Sequence, residues 1–251
     1  MSGARKKETA RLSTQDSAKK LQVQDKPLMA YRRRSAVIVF LAVAFIGLTS
    51  DLLSKHFVFK SLLQDNPAAH EFGRARSDLA DAHDTDQIVP RPDYPSRRDI
   101  GCGLRFSLST NRGVVFGIYV PPAIVAIVSF LTVALVVFFF ATGDARLWTM
   151  HIGLAMILSG ALGNLYDRML GSVNVPGFKP ITNQVRDFID LSAIRLPFHV
   201  KWPWSEGPGL DNYPYIFNVA DVLLVVGVGL LIANWFLHRR IAKQDAMAKK
   251  Q

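Results

Sequence analysis

Apolar residues along this chain gather into four long runs, and the charged residues gather between them. The first run extends from Ser35 to Thr49 and continues past Asp51 through Leu52 and Leu53 to Lys55. Ile118 to Ala141 holds no charge, Leu147 to Tyr166 holds only His151 among scattered Ser, Asn and Thr, and Ile216 to Leu237 holds one acid, Asp221. Each run approaches the ~20 residues that a helix needs to cross ~30 Å of hydrocarbon. A backbone in lipid must satisfy its own hydrogen bonds, so helices are the form such runs take. The pattern predicts an all-α membrane protein with four transmembrane helices over about residues 35–55, 118–141, 147–166 and 216–237. Between the last two, Val185 to Leu191 alternates apolar and polar residues, the period of a short extended or re-entrant segment lying against the membrane surface.

Average composition alone, 49% apolar and 20% charged over 251 residues, would suit a soluble domain, so distribution decides the class. The net charge of +10 also has a location. Residues 1–34 hold ten Lys/Arg against three acids and end in Arg32-Arg33-Arg34; the tail 239–251 holds five Lys/Arg against Asp245. The segments 56–117 and 171–215 are each balanced in charge. Basic flanks stay cytoplasmic. Both termini are therefore expected in the cytoplasm, with 56–117 and 171–215 as exported loops and Thr142–Arg146 as a short cytoplasmic turn. Residues 1–34 read as a disordered basic cytoplasmic tail, 35–238 as one four-span domain, and 239–251 as a second basic tail. The first segment is too long and too charged for the n-region of a cleaved signal peptide, so the first span is an uncleaved anchor. Anionic lipid beside the membrane accounts for the basic charge, which removes nucleic acid as the expected partner. The single cysteine, Cys102, excludes an internal disulfide framework and a thiolate metal cluster.

Ionisable groups inside apolar spans are expensive, at least ~2.5–3.5 kcal/mol each on insertion scales, and therefore call for a reason. Here they share a pattern. The third span ends in Gly163-Asn164-Leu165-Tyr166-Asp167-Arg168 and the fourth begins Phe217-Asn218-Val219-Ala220-Asp221. Asn and Asp three apart lie on one helical face, and both faces fall at the same exported interface. Asp51 and Lys55 have the spacing of a helical ion pair, and Asn111-Arg112-Gly113 precedes the second span. Asp187 and Asp221 are candidates for a carboxylate pair. Two close carboxylates share a proton, one acting as base toward water and the other as acid toward a carbonyl or leaving amine.

Asp51-x-x-Ser54-Lys55, Asn111-x-Gly113, Gly163-Asn164-x-x-Asp167-Arg168, Val185-x-Asp187-Phe188 and Phe217-Asn218-x-Ala220-Asp221 together resemble, in order and in place, the motif set of lipoprotein signal peptidase, or signal peptidase II. The resemblance covers about residues 35–238. It implies an intramembrane aspartic endopeptidase of the bacterial cytoplasmic (inner) membrane, a monomer with no cofactor and no metal. Its substrates would be diacylglyceryl-modified prolipoproteins, met in the membrane lipid and cut just before the lipidated cysteine. Asp187 and Asp221 would be catalytic. Asn111, Gly113, Asn164, Asp167, Arg168 and Asn218 would shape and support the site, with Asp167 and Arg168 as an interfacial salt bridge, and Asp51 and Lys55 would stabilise it from the first span. The exported parts would carry a small β-structure and a short surface helix.

The chain departs from this pattern in a longer first exported loop and in an extended segment from Asp190 to Tyr215. Asp190, close to Asp187, is a second candidate for the strand's catalytic acid. An inactive or structural four-span protein of the same fold is one alternative, and a small transporter is another. A transporter would spread polar groups through the bilayer depth and repeat its halves, whereas these acids gather at one interface. His151 reads as a hydrogen-bonded histidine of the bundle, and Trp202, Trp204, Tyr213 and Tyr215 read as an interfacial aromatic belt.

Overall fold

The computed structural model describes residues 29–64, 97–111, 121–174, 180–200, 210–212 and 216–248. Most of the basic N-terminal tail and of the first long loop, Gly113 with the rest of 112–117, and Trp202, Trp204, Tyr213 and Tyr215 lie outside the described residues. Helices α1 (Arg34–Gln64), α2 (Pro122–Thr142), α3 (Trp148–Met169) and α4 (Val219–Ala248) form the frame. Three segments, Arg34–Leu63, Ile124–Thr142 and Val219–Leu237, are long and apolar enough to cross a membrane. Their outward residues are large and apolar. Leu41 and Phe45 on α1, Ile127 and Leu131 on α2, and Val225 and Ile232 on α4 are all exposed, a surface that suits lipid tails and not water.

Helix α3 differs because its neighbours are protein. Its 22 residues reach about 33 Å, and thirteen of them are buried. A helix packed against α1, α2 and α4 needs small residues for close approach more than it needs an apolar surface. A Cβ at Gly160 would collide with the Ala220 carbonyl and the Leu224 side chain of α4, and one at Gly163 would collide with the Asp51 carboxylate of α1. The missing side chains let three helices converge.

Pro121 and Pro122 open α2, where a preset φ and a missing N–H suit a first turn. At the far end of α2, Gly143 accepts the Ala30 N–H at 2.9 Å and Asp144 pairs with Met29. The approach to α1 and the α2–α3 turn therefore share one end of the bundle. Near that end His151 is fully buried and lies edge-on to the Phe140 ring, 5.2 Å between centroids. The backbone of Asp144 in the α2–α3 turn is its polar neighbour. Aromatic edges from Phe140 and Trp148 flank the histidine.

The other end of the bundle carries the strands. In chain order these are β1 (Arg97–Gly101), β2 (Leu104–Asn111), β3 (Ser172–Val173), β4 (Ile181–Thr182), β5 (Val185–Asp190), β6 (Arg195–Val200), β7 (Leu210–Asn212) and β8 (Ile216–Phe217). A four-stranded antiparallel sheet has the order β1-β2-β5-β8, while β3–β4 and β6–β7 form separate pairs. Two helix boundaries differ from the apolar runs for a reason visible in the packing. Helix α1 continues past Lys55 because Phe59 and Leu62 bury against Leu108, Val173, Ile181 and Phe188. Helix α4 starts only at Val219 because Ile216 and Phe217 pair with β5.

Candidate active site

Asp187 lies within β5 across from Ser109 of β2, and only 3% of its surface is exposed. On the other side of β5, Ile189 pairs with Phe217 and Asp190 with Ile216. The chain leaves that short strand directly into Asn218 and the first turn of α4. The sheet register thus delivers Asn218 and Asp221 beside Asp187.

Asn218 caps α4. Its Oδ1 accepts the Asp221 N–H at 3.0 Å, and Asp221 Oδ2 accepts the Asn218 N–H at 3.2 Å, a reciprocal cap that satisfies two otherwise orphaned donors. The Ala220 N–H is taken by Asp51 Oδ1 at 2.8 Å. An acid of α1 therefore closes a helix end that belongs to α4.

Two amides join the two carboxylates. Asn218 Nδ2 donates to Asp187 Oδ1 at 2.6 Å and to Asn164 Oδ1 at 3.3 Å, and Asn164 Nδ2 donates to Asp221 Oδ1 at 2.9 Å. Asn111, the last residue of β2, adds a side-chain hydrogen bond to Asp187. Burial, and after it the charge of Asp221, pushes the Asp187 carboxyl from 3.8 up to about 8, against the pull of Asn218, Lys55 and Asn111. At neutral pH Asp187 holds its proton.

A buried ion network supports this pair. Lys55 Nζ reaches Asp51 Oδ2 at 2.7 Å, Asp167 Oδ2 at 3.0 Å and Asn164 Oδ1 at 3.1 Å, one acceptor for each ammonium proton. Asp51, Lys55 and Asp167 are all fully buried. Asp167 also accepts from Arg186, through Nε at 2.9 Å, Nη2 at 2.5 Å and the backbone N–H at 3.1 Å. These partners stand beside the Asp167–Arg168 pairing read from the sequence, and the charge of Asp167 also acts on Arg168. Successive helical residues project about 100° apart, so the two side chains leave α3 in different directions. Arg168 donates to the Asn164 carbonyl at 3.4 Å and faces Asp187 and Asp221.

Asp190 is separated from the pair. Three residues along a strand, it points to the opposite face, where it accepts the Ser107 hydroxyl at 2.7 Å and the Ser192 N–H at 2.8 Å. The structure gathers Asp187, Asp221, Asn111, Asn164, Asn218, Asp167, Arg168, Asp51 and Lys55 at one end of the bundle. Gly113 falls outside the described residues. Arg186 is the member that sequence reasoning missed. The available signal was charge balance, since a base in the variable position of Val185-Arg186-Asp187-Phe188 sits among acids that burial obliges to be paired.

Comparison with known proteins places the chain in a family. Relatives include the lipoprotein signal peptidase of Clostridium novyi, 32% identical over 127 residues that make up 50% of this chain and 68% of that protein. The Fusobacterium nucleatum lipoprotein signal peptidase is 30% identical over 52% of this chain and 62% of its own length. The match to these two relatives spans roughly two thirds of their lengths. A lipoprotein signal peptidase of an Anaeromyxobacter species is 26% identical over 215 residues, 82% of this chain and 89% of that protein. The family model described as signal peptidase (SPase) II matches residues 43–237, which hold all four helices' cores and all the strands. On that match the chain belongs to the signal peptidase II family.

Proposed function

We propose that this protein is an aspartic endopeptidase that removes the signal peptide from diacylglyceryl-modified prolipoproteins, cutting on the N-terminal side of the lipidated cysteine. The observation that carries the reading is the pair Asp187 and Asp221, joined through the amides of Asn164 and Asn218 at the N-terminus of α4. Asp187 carries the shared proton and is the acid toward the scissile carbonyl. Asp221 accepts two N–H groups and is the base toward water. As water attacks, its proton passes to Asp221 and the Asp187 proton passes to the carbonyl oxygen, giving a neutral tetrahedral diol. When the C–N bond breaks, the proton on Asp221 goes to the leaving amine and a diol proton returns to Asp187. Water is consumed and the pair regains its single proton.

In this reading α1 to α4 are four spans of the bacterial inner membrane, with α3 as the enclosed one and both termini cytoplasmic. The protein acts as a monomer. The site lies at the exported interface, so a substrate arrives laterally with its acyl chains against the apolar helix faces. Each buried CH₂ contributes ~0.8 kcal/mol, so two acyl chains supply most of the binding and orient the peptide bond beside them. Cleavage of matched lipidated and unlipidated precursor peptides in one detergent tests the reading. Only the lipidated peptide should be cut at a useful rate. Equal rates would leave a general intramembrane protease in its place.

A further inference from the structure

The charges around the carboxylate pair balance. Among the described residues, four carboxylates (Asp51, Asp167, Asp187 and Asp221) meet three cations (Lys55, Arg168 and Arg186). The site is neutral when the pair holds one proton, the form that an aspartic mechanism needs. Arg186 is the cation that completes this balance. It grips Asp167 with two guanidinium N–H groups and its own backbone N–H. Asp167 itself is fully buried, and the Arg186 side chain is only 13% exposed. Its backbone neighbour is Asp187.

We propose that Arg186 is a positioning residue that fixes the proton count of the Asp187–Asp221 pair, and clamps β5 to α3, through Asp167. Without the Arg186 charge, Asp167 would keep Lys55, which it shares with Asp51, and the neighbouring charge of Arg168, and the buried site would carry one net negative charge. A buried net charge is costly and is relieved by taking up a proton. Asp167 and Asp51 both keep their contact with Lys55, which leaves the pair as the carboxylates to take it. The pair would then hold two protons at the pH where it now holds one, and the base would be lost until the pH is raised. The groups facing the pair are Lys55 and Asp51 from α1, Asp167, Arg168 and Asn164 from α3, Asn111 from β2 and Asn218 from α4.

This inference rests on the aspartic reading above, and the two fail separately. The full-length protein in detergent, cleaving a lipidated precursor peptide, is assayed for kcat/KM from about pH 5 to about pH 10, where both limbs of a bell report the pair. Arg186→Gln should move both limbs upward by about one pH unit, so that activity falls about tenfold on the acid limb and partly returns at higher pH. Arg186→Lys keeps the charge and loses the two-pronged grip, and its limbs should stay in place while kcat/KM falls. Asp167→Asn removes one negative charge and should move the limbs downward, which reads the same balance if Arg186→Gln does not fold. An unmoved profile in Arg186→Gln, with activity lowered equally at every pH, overturns the inference and leaves a structural clamp. Unmoved limbs in Asp167→Asn overturn it as well. Persistence of cleavage in Asp187→Asn would instead remove the aspartic reading itself.

Discussion

Replacing Asp187 by Asn tests the site on two independent readouts. The amide keeps the side chain's shape and can still accept the Asn218 bond, but it cannot pass a proton. Positioned acids and bases contribute ~10²–10⁴-fold, so cleavage should fall by at least about 10²-fold. The second readout is stability. The Asp187 carboxyl ionises at about 8 in the folded protein against an ordinary 3.8. A carboxyl raised in this way binds its proton more tightly when folded, so the unfolded chain gives up its proton first as pH climbs from about 4 to about 8. Stability is therefore greatest on the acid side of that window and is lost across it. At about 1.4 kcal/mol per unit the whole shift amounts to about 6 kcal/mol. Relaxation of the protein and entry of water around the ionised carboxylate offset part of this, and we expect about 2–3 kcal/mol, roughly 5–10 °C of melting temperature. The uncharged amide of the variant carries no such penalty. Melting temperatures of wild type and variant, measured in one detergent from about pH 4 to about pH 9, read the effect as their difference. The two should nearly coincide at the acid end, and the variant should be the more stable at the alkaline end. A difference that stays flat across the range would refute the buried, proton-holding carboxyl. Asp190→Asn is the control: it should keep cleaving, with a stability loss of about 1–2 kcal/mol from its weakened bonds to Ser107 and Ser192.

Two further expectations follow from the packing and the charge pattern. Gly160→Val places a side chain against the Ala220 carbonyl and Leu224, and overpacking of this kind costs about 1–3 kcal/mol, so the purified variant should melt several degrees lower and lose activity as α4 is pushed from α3; an unchanged melting temperature would show that the helices can separate without loss. Reporter fusions should place residues 1–28 and the segment after Ala248 in the cytoplasm and residues 65–96 outside it, and termini found on opposite sides would mean an odd number of spans.

Much of this molecule is legible in its sequence because the membrane imposes a strong one-dimensional rule. A run of ~20 apolar residues must be a helix, and Leu41, Phe45, Ile127 and Val225 face outward as that rule requires. The polar residues inside those runs were equally legible, since Asn164, Asp167, Asn218 and Asp221 have no place in lipid without partners. Alternation marked β5, and the ordered motifs marked the family. What spacing along the chain cannot report is which partner each charge takes. Asp167 gained Lys55 from α1 and Arg186 from β5, because burial demands cations that its own helix does not supply in full. Asp51 became the cap of a distant helix through Ala220. Strand register turns the Asp187 carboxyl toward Asn218 and the Asp190 carboxyl toward Ser107, which spacing along the chain could not report. Helix α3 escaped the hydropathy rule because its solvent is protein, with Gly160 and Gly163 trading side chain for contact. Helices α1, α2 and α4 were decided by each run's own solvent, lipid; the site was decided by pairings between segments that only the folded chain brings within hydrogen-bond reach.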